Sequence, residues 1–216
     1  MKTEIFVITL LFTVAFSAQA QYSRFGAKIG GALTSAVGSD APSSNINYKA
    51  GMHGGLVYTY EFISRIAFQT EMLYSRKGFT YDNYSVSESE AYAGDLILDY
   101  VEVPLLFKLQ KAALFVEAGP YVGYLFNEES NVNLISTTDP TPGGTEPLVL
   151  GEQYFSKSQF NTFDYGYTVG IGLALQNGLF MSLRNTGGLR SFRSDDLSQR
   201  NMVWQFSIGY LLPAIL

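Results

Sequence analysis

The chain of 216 residues contains no cysteine, one histidine and one tryptophan. Without cysteine there is no disulfide framework, no thiolate nucleophile and no thiolate metal site. With His53 alone, every histidine-dependent mechanism rests on one position, and a lone histidine makes a poor metal site. Charge is sparse and weighted to the acidic side, 14 Lys and Arg against 19 Asp and Glu, for a formal net charge of −5. With a pI near 4.9, the chain lacks the basic surface that phosphate backbones require, so nucleic acid is excluded as a partner. Beyond the first twenty residues no uninterrupted apolar run is long enough for a membrane-spanning helix. If this chain crosses a membrane, it crosses with strands.

What is present is alternation. From Leu98 to Leu109, Val101, Val103, Leu105, Phe107 and Leu109 share one face, and Tyr100, Glu102, Pro104, Leu106 and Lys108 share the other. After Gln110-Lys111-Ala112 the pattern resumes, with Leu114, Val116, Ala118, Pro120, Val122 and Tyr124 opposite Phe115, Glu117, Gly119, Tyr121 and Gly123. A period of two places alternate residues on opposite faces of a strand. Here the bulky apolar face is continuous, while the other face collects glycines, small residues and charges. A soluble lipocalin-like barrel would put its apolar residues inside. The observed sidedness is that of a membrane barrel, with lipid outside and a polar interior.

The same reading along the chain gives eight strands. They begin near Tyr22, Met52, Ile66, Leu98, Leu114, Tyr165, Leu179 and Met202. Connections alternate in length. Polar loops are expected at about Thr34–Tyr48, Lys77–Asp95, Asn127–Thr162 and Thr186–Arg200, with tight turns at Ile63-Ser64, Gln110–Ala112 and Asn177-Gly178. Asn-Gly is a strong hairpin signal because both residues tolerate positive φ. The expected fold class is therefore all-β: an eight-stranded antiparallel transmembrane β-barrel with short periplasmic turns and long extracellular loops. Abundant tyrosine within the 15% aromatic content suits girdles at the two membrane interfaces.

Residues 1–20 read as a cleaved signal peptide and residues 21–216 as the barrel domain. Lys2 precedes an apolar run from Ile5 to Phe16, and Ala18-Gln19-Ala20 supplies the small-x-small cleavage site. The run is about a dozen residues, short of the roughly 20 that a spanning helix needs. The protein is expected in the outer membrane of a bacterium, exported through that leader.

The residues also resemble a known family, the outer-membrane β-barrels common in Bacteroidota, described as porin-family or PorT-like. The resemblance lies in Gly26-Ala27-Lys28-Ile29-Gly30-Gly31, in Gln69–Gly78, and in Tyr100-Val101-Glu102-Val103-Pro104-Leu105-Leu106 followed by Glu117-Ala118-Gly119-Pro120-Tyr121. It implies an outer-membrane location and a small closed barrel, and no activity, since fold alone does not establish transport. Members commonly end on an aromatic residue; this chain reaches Tyr210 and adds Leu211-Leu212-Pro213-Ala214-Ile215-Leu216. Lipid A-deacylating barrels carry a histidine with a serine two positions on, whereas His53 is followed by Gly54-Gly55. An enzyme is not expected, and no catalytic, cofactor-binding or metal-binding residue is assigned.

The interior face collects Lys28, Glu61, Glu71, Glu102, Lys108, Glu117 and Arg184, with His53 nearby. Eight strands enclose a space just wide enough for side chains to fill. The expectation is a structural ion-pair cluster of Lys28, Glu71, Glu102, Glu117 and Arg184 that plugs the lumen. The extracellular loops carry Asp82, Glu88, Glu90 and Asp95, then Glu128, Glu129, Asp139, Glu146 and Glu152, a solvated acidic surface without the spacing of a Ca²⁺ loop. The expected role is non-enzymatic, structural or interactive through those loops. The alternative is a narrow porin-like channel or a component of a transport or secretion machine. Expected partners are outer-membrane lipid and lipopolysaccharide, the barrel assembly machinery during biogenesis, and a protein at the extracellular loops. No cofactor is expected.

Overall fold

The computed structural model describes residues 22–213 apart from 40, 42–45, 64, 141–145 and 196. The proposed leader and residues 214–216 lie outside the described residues. Among the described residues, nine antiparallel strands follow one another: β1 (Tyr22–Val37), β2 (Ile46–Ile63), β3 (Ile66–Ser85), β4 (Glu90–Lys111), β5 (Leu114–Pro140), β6 (Pro147–Gln153), β7 (Phe163–Ala174), β8 (Leu179–Gly188) and β9 (Arg200–Leu211). Each strand pairs with the next except β6, which pairs with β5 alone; β5 pairs on to β7, and β9 returns to β1, with Gly26 opposite Leu211 and Val37 opposite Arg200. The ring of eight, β1 to β5 and β7 to β9, is thereby closed, which removes sheet edges from the lipid.

Alternation decides which way each side chain faces. On β9, Trp204, Phe206, Ile208 and Tyr210 are exposed while Val203, Gln205, Ser207 and Gly209 are buried. On β4, Val101, Leu105, Phe107 and Leu109 point outward and Glu102, Leu106 and Lys108 inward. The outward residues form a continuous apolar wall, which only a lipid environment leaves without cost. Phe25, Tyr58, Tyr60, Phe62, Tyr124 and Phe163 place aromatic rings near its two rims, several in contact, as in the 5.5 Å pair Tyr124–Phe163.

The strands outrun the expected boundaries at one end. The stretch from Lys77 to Asp95 is no loop: β3 and β4 continue to a short connection around Val86–Ser89, with Ser85 opposite Ala91. The stretch from Asn127 to Thr162 contains the last part of β5 and the whole of β6, and Thr34–Val37 and Thr186–Gly188 are also strand. Cross-strand hydrogen bonds hold these polar segments in the ladder although their side chains no longer meet lipid. A strand-built crown thus stands above the apolar wall, with β6 hydrogen-bonded to β5 on one side only. The Asn177-Gly178 turn is wider than a two-residue hairpin: Leu175 N–H donates to Leu179 O across Gln176-Asn177-Gly178, only Gly178 takes positive φ (94°), its N–H donates to Leu175 O, and the Asn177 side chain accepts from Leu179 N–H.

Two apolar layers lie inside the ring. Val57, Phe115, Phe180 and Leu211 fill the end with the short turns. At the crown end Phe79, Tyr81, Leu96, Leu98, Tyr100, Leu125, Val132, Phe160 and Phe192 form a larger core, with Tyr84, Tyr92 and Phe155 against it.

Candidate functional site in the barrel interior

Between the two apolar layers the interior is polar. Lys28, Lys77, Lys108 and Arg184 are buried there with Glu71, Glu102, Glu117 and Asp164, so formal charge balances among the described interior residues. They fall into two groups. In the first, Glu71 on β3 accepts from Lys28 Nζ at 2.7 Å and from Arg184 Nη1 and Nη2 at 2.7 Å each. Arg184 also donates through Nε to Glu117. Gln69 donates to Glu71 at 2.6 Å and accepts from Thr59 and from Lys108. Lys108 Nζ further sits 3.6 Å from the centre of the Phe115 ring, so a cation–π contact joins the ionic layer to the apolar one below.

Room for this packing comes from glycine. A Cβ on Gly170 would stand 2.7 Å from Arg184 Cγ, and one on Gly172 2.3 Å from the Phe115 ring. Packing therefore requires glycine at these positions, whereas at Gly31, which faces out, a Cβ would meet nothing within 4 Å.

Glu102 does not join this group. Its carboxylate takes Lys77 Nζ at 2.6 Å, and Lys77 also reaches Asp164 at 3.1 Å. Tyr121 Oη at 3.0 Å and Asn201 at 2.9 Å donate to the same Asp164 oxygen. Lys77 lies 4.9 and 4.7 Å from the ring centres of Tyr100 and Tyr121. The expected single cluster is thus corrected to two, because Lys77 provides a nearer cation on the strand beside Glu102. In sequence Lys77-Gly78 has the look of a loop opening; Gly78 does adopt φ 138°, yet it remains in the ladder. Parity was the available signal: Lys77 continues the inward set Glu71, Leu73, Ser75, and Asp164 continues that of Gly166 and Thr168.

Other residues sit apart. Glu61 pairs with Arg24 at 3.7 Å at the short-turn rim, partly exposed, outside the interior group. His53 Nε2 bonds Ser207 Oγ at 2.7 Å, with Nδ1 unpartnered among the described residues, so no carboxylate orients the ring. The acidic residues of the crown are dispersed along strands: Asp82 accepts from Asn47, and Asp95 from Lys49 and Thr80 at 2.5 Å each. Burial alone would raise the Asp95 carboxyl, but the Lys49 and Thr80 hydrogen bonds hold it below the ordinary value. Burial among rings pushes Tyr81 in the crown up to about 12. No group of three or more His, Cys, Asp or Glu among the described residues is placed to hold a metal.

A closed antiparallel ring, apolar outside and ionic inside, defines a small β-barrel of the bacterial outer membrane. Its family follows from sequence: residues 6–194 match the outer membrane protein beta-barrel domain family, and the chain belongs to it. Solved structures similar in fold include Neisserial surface protein A, at 11% identity and TM-score 0.48 over 86% of this chain and 96% of that one. Ail of Yersinia pestis, in complex with the heparin analogue sucrose octasulfate, shows 16% identity and TM-score 0.45 over 88% and 99%. No curated protein matches the chain in sequence.

Proposed function

We propose that this protein is a non-enzymatic, non-conducting barrel whose role is carried by interaction through its crown. The observation behind the reading is the stack inside the ring: an apolar layer, two paired ionic groups and a second apolar layer, joined by cation–π contacts of Lys108 below and Lys77 above. Buried charges persist when paired and hydrogen-bonded, and such pairs leave no hydrated path for an ion. The same enclosure supports a non-catalytic reading, since His53 and Ser207 lie inside the wall without a third partner among the described residues. Loops and the segments above a rigid scaffold are where binding residues concentrate, and here the crown is the part built beyond what spanning requires. Export through Met1–Ala20 and a place among the PorT-like barrels of Bacteroidota, resting on Tyr100–Leu106 and Glu117–Tyr121, belong to the same proposal. Planar-bilayer recording of the purified barrel tests it. No open-channel current is expected at any voltage; a steady, ion-selective current would replace this reading with transport.

A further inference from the structure

We propose that the barrel interior binds two ordered waters, one between Ser75 and His53 and one between Ser207 and Ser182. Strand register sets these residues in a single row. Ser75 on β3 lies opposite His53 on β2, and His53 lies opposite Gly30 on β1. Gly30 lies opposite Ser207 on β9, which lies opposite Ser182 on β8. The four side chains face inward and are buried, none exposed by more than 2%. Ser75 is two residues from Lys77 and Ser182 two residues from Arg184, so the row runs from beside one ionic group to beside the other.

Only the middle of the row is bonded directly. His53 Nε2 meets Ser207 Oγ at 2.7 Å, across the width of β1. Glycine at position 30 permits that reach, since a Cβ there would stand 2.6 Å from His53 Cε1 and 2.7 Å from Nε2. On either side, Ser75 Oγ, His53 Nδ1 and Ser182 Oγ have no hydrogen-bond partner among the described residues. Directly opposed side chains on neighbouring strands start about 4.5–5.5 Å apart at Cβ. With the imidazole drawn toward Ser207 and away from Ser75, and with two short side chains at Ser207 and Ser182, each gap is one that a single water bridges.

The chemistry of the row selects water over an ion. Buried polar groups are almost always hydrogen-bonded, to protein or to ordered water, and a buried water makes two to four such bonds. A serine hydroxyl both donates and accepts, and an imidazole nitrogen does one or the other according to tautomer. Water complements every one of these groups in either tautomer. The interior cations Lys28, Lys77, Lys108 and Arg184 are already matched by Glu71, Glu102, Glu117 and Asp164, so an ion would add charge without a counter-charge. The direct His53–Ser207 bond keeps the two waters apart, so they form no continuous column through the barrel.

The test is solid-state NMR of the full barrel in lipid bilayers, with polarisation transferred from water protons. His53 is the single histidine of the chain, so ¹⁵N-labelled histidine reports on this ring alone. Water polarisation should reach His53 Nδ1 and the Ser75 and Ser182 side chains well before it reaches Leu106, which is equally buried. Ser75→Ala should shift the Nδ1 resonance and slow its transfer from water, with the Nε2 resonance kept. Ser182→Ala should leave Nδ1 unchanged and slow the transfer at Ser207. Transfer to Nδ1 no faster than to Leu106, or an Nδ1 resonance unmoved by Ser75→Ala, would overturn the first water. Transfer at Ser207 unaffected by Ser182→Ala would overturn the second. If a variant fails to fold, the wild-type comparison of Nδ1 and Ser182 with Leu106 decides by itself. Because the readout is hydration at named atoms, a dry row would leave the non-conducting reading and its bilayer test untouched.

Discussion

At the scale of single residues, the two ionic groups differ in how much rests on one carboxylate. Glu71 holds Lys28, Arg184 and Gln69 together, whereas Lys77 keeps Asp164 if Glu102 is lost. Removing one partner of a buried pair typically costs about 3–5 kcal/mol because an uncompensated charge remains. Glu71→Ala should fall in that range, and Glu102→Ala should cost measurably less. Urea titration of folded barrels in bilayers compares them, and equal losses would mean that the two groups are not separate. On the outward face the logic reverses. Ile171 is exposed to lipid between Val116 and Leu183. Ile171→Arg near the midplane is expected to cost about 2–4 kcal/mol, read as a drop in the urea midpoint. Wild-type stability in that variant would show that the wall is not lipid-facing.

At the scale of elements, the crown is held by polar ties as well as by its aromatic core, and one of them responds to acid. Asp95 of β4 is tied to Lys49 of β2 and Thr80 of β3, and its carboxyl is held below the ordinary value. A depressed carboxyl contributes stability above its unfolded pKa and loses it as pH falls through the folded one. The crown should therefore loosen below the usual aspartate range of about 4, by less than about 1 kcal/mol for so exposed a pair. Limited proteolysis of the β3–β4 connection across that range should show the increase in wild type and a flat profile in Asp95→Asn. The spanning strands were legible in the sequence because lipid on one side and a crowded lumen on the other enforce strict alternation, as from Val101 to Leu109. Above the membrane neither solvent nor core enforces it on both faces. Segments such as Asn127–Asp139 therefore read as loop, while backbone pairing, which leaves no trace in residue type, keeps them in the sheet. The interior cluster was legible in its parity and illegible in its partners. Which cation meets Glu102 depends on strand register, and register is set across strands rather than along one.

At the scale of the whole molecule, the ring distributes its hydrogen bonds evenly except at one place. Strands β1 to β5 and β7 to β9 have a neighbour on both sides over the membrane band, and β6 has one. Amide exchange should be slowest through β7, β8 and β9 and markedly faster in Pro147–Gln153, where opening breaks a single ladder without exposing an interior. Uniform protection including β6 would indicate that a further strand covers its free side.

The seam between β1 and β9 has a consequence for how the chain could be cut and rejoined. Arg24 Nε donates to Leu212 O although the two are 188 positions apart in sequence, at the same end as the short turns. A brief linker there could join β9 to β1, and new ends could be opened in the tight connection between β2 and β3. Every ladder pair would survive such a circular permutation, yet the pairing of greatest sequence separation would become a local hairpin. Since loop-closure entropy is met before distant contacts form, the permutant would reach the same barrel with its former last step among its first.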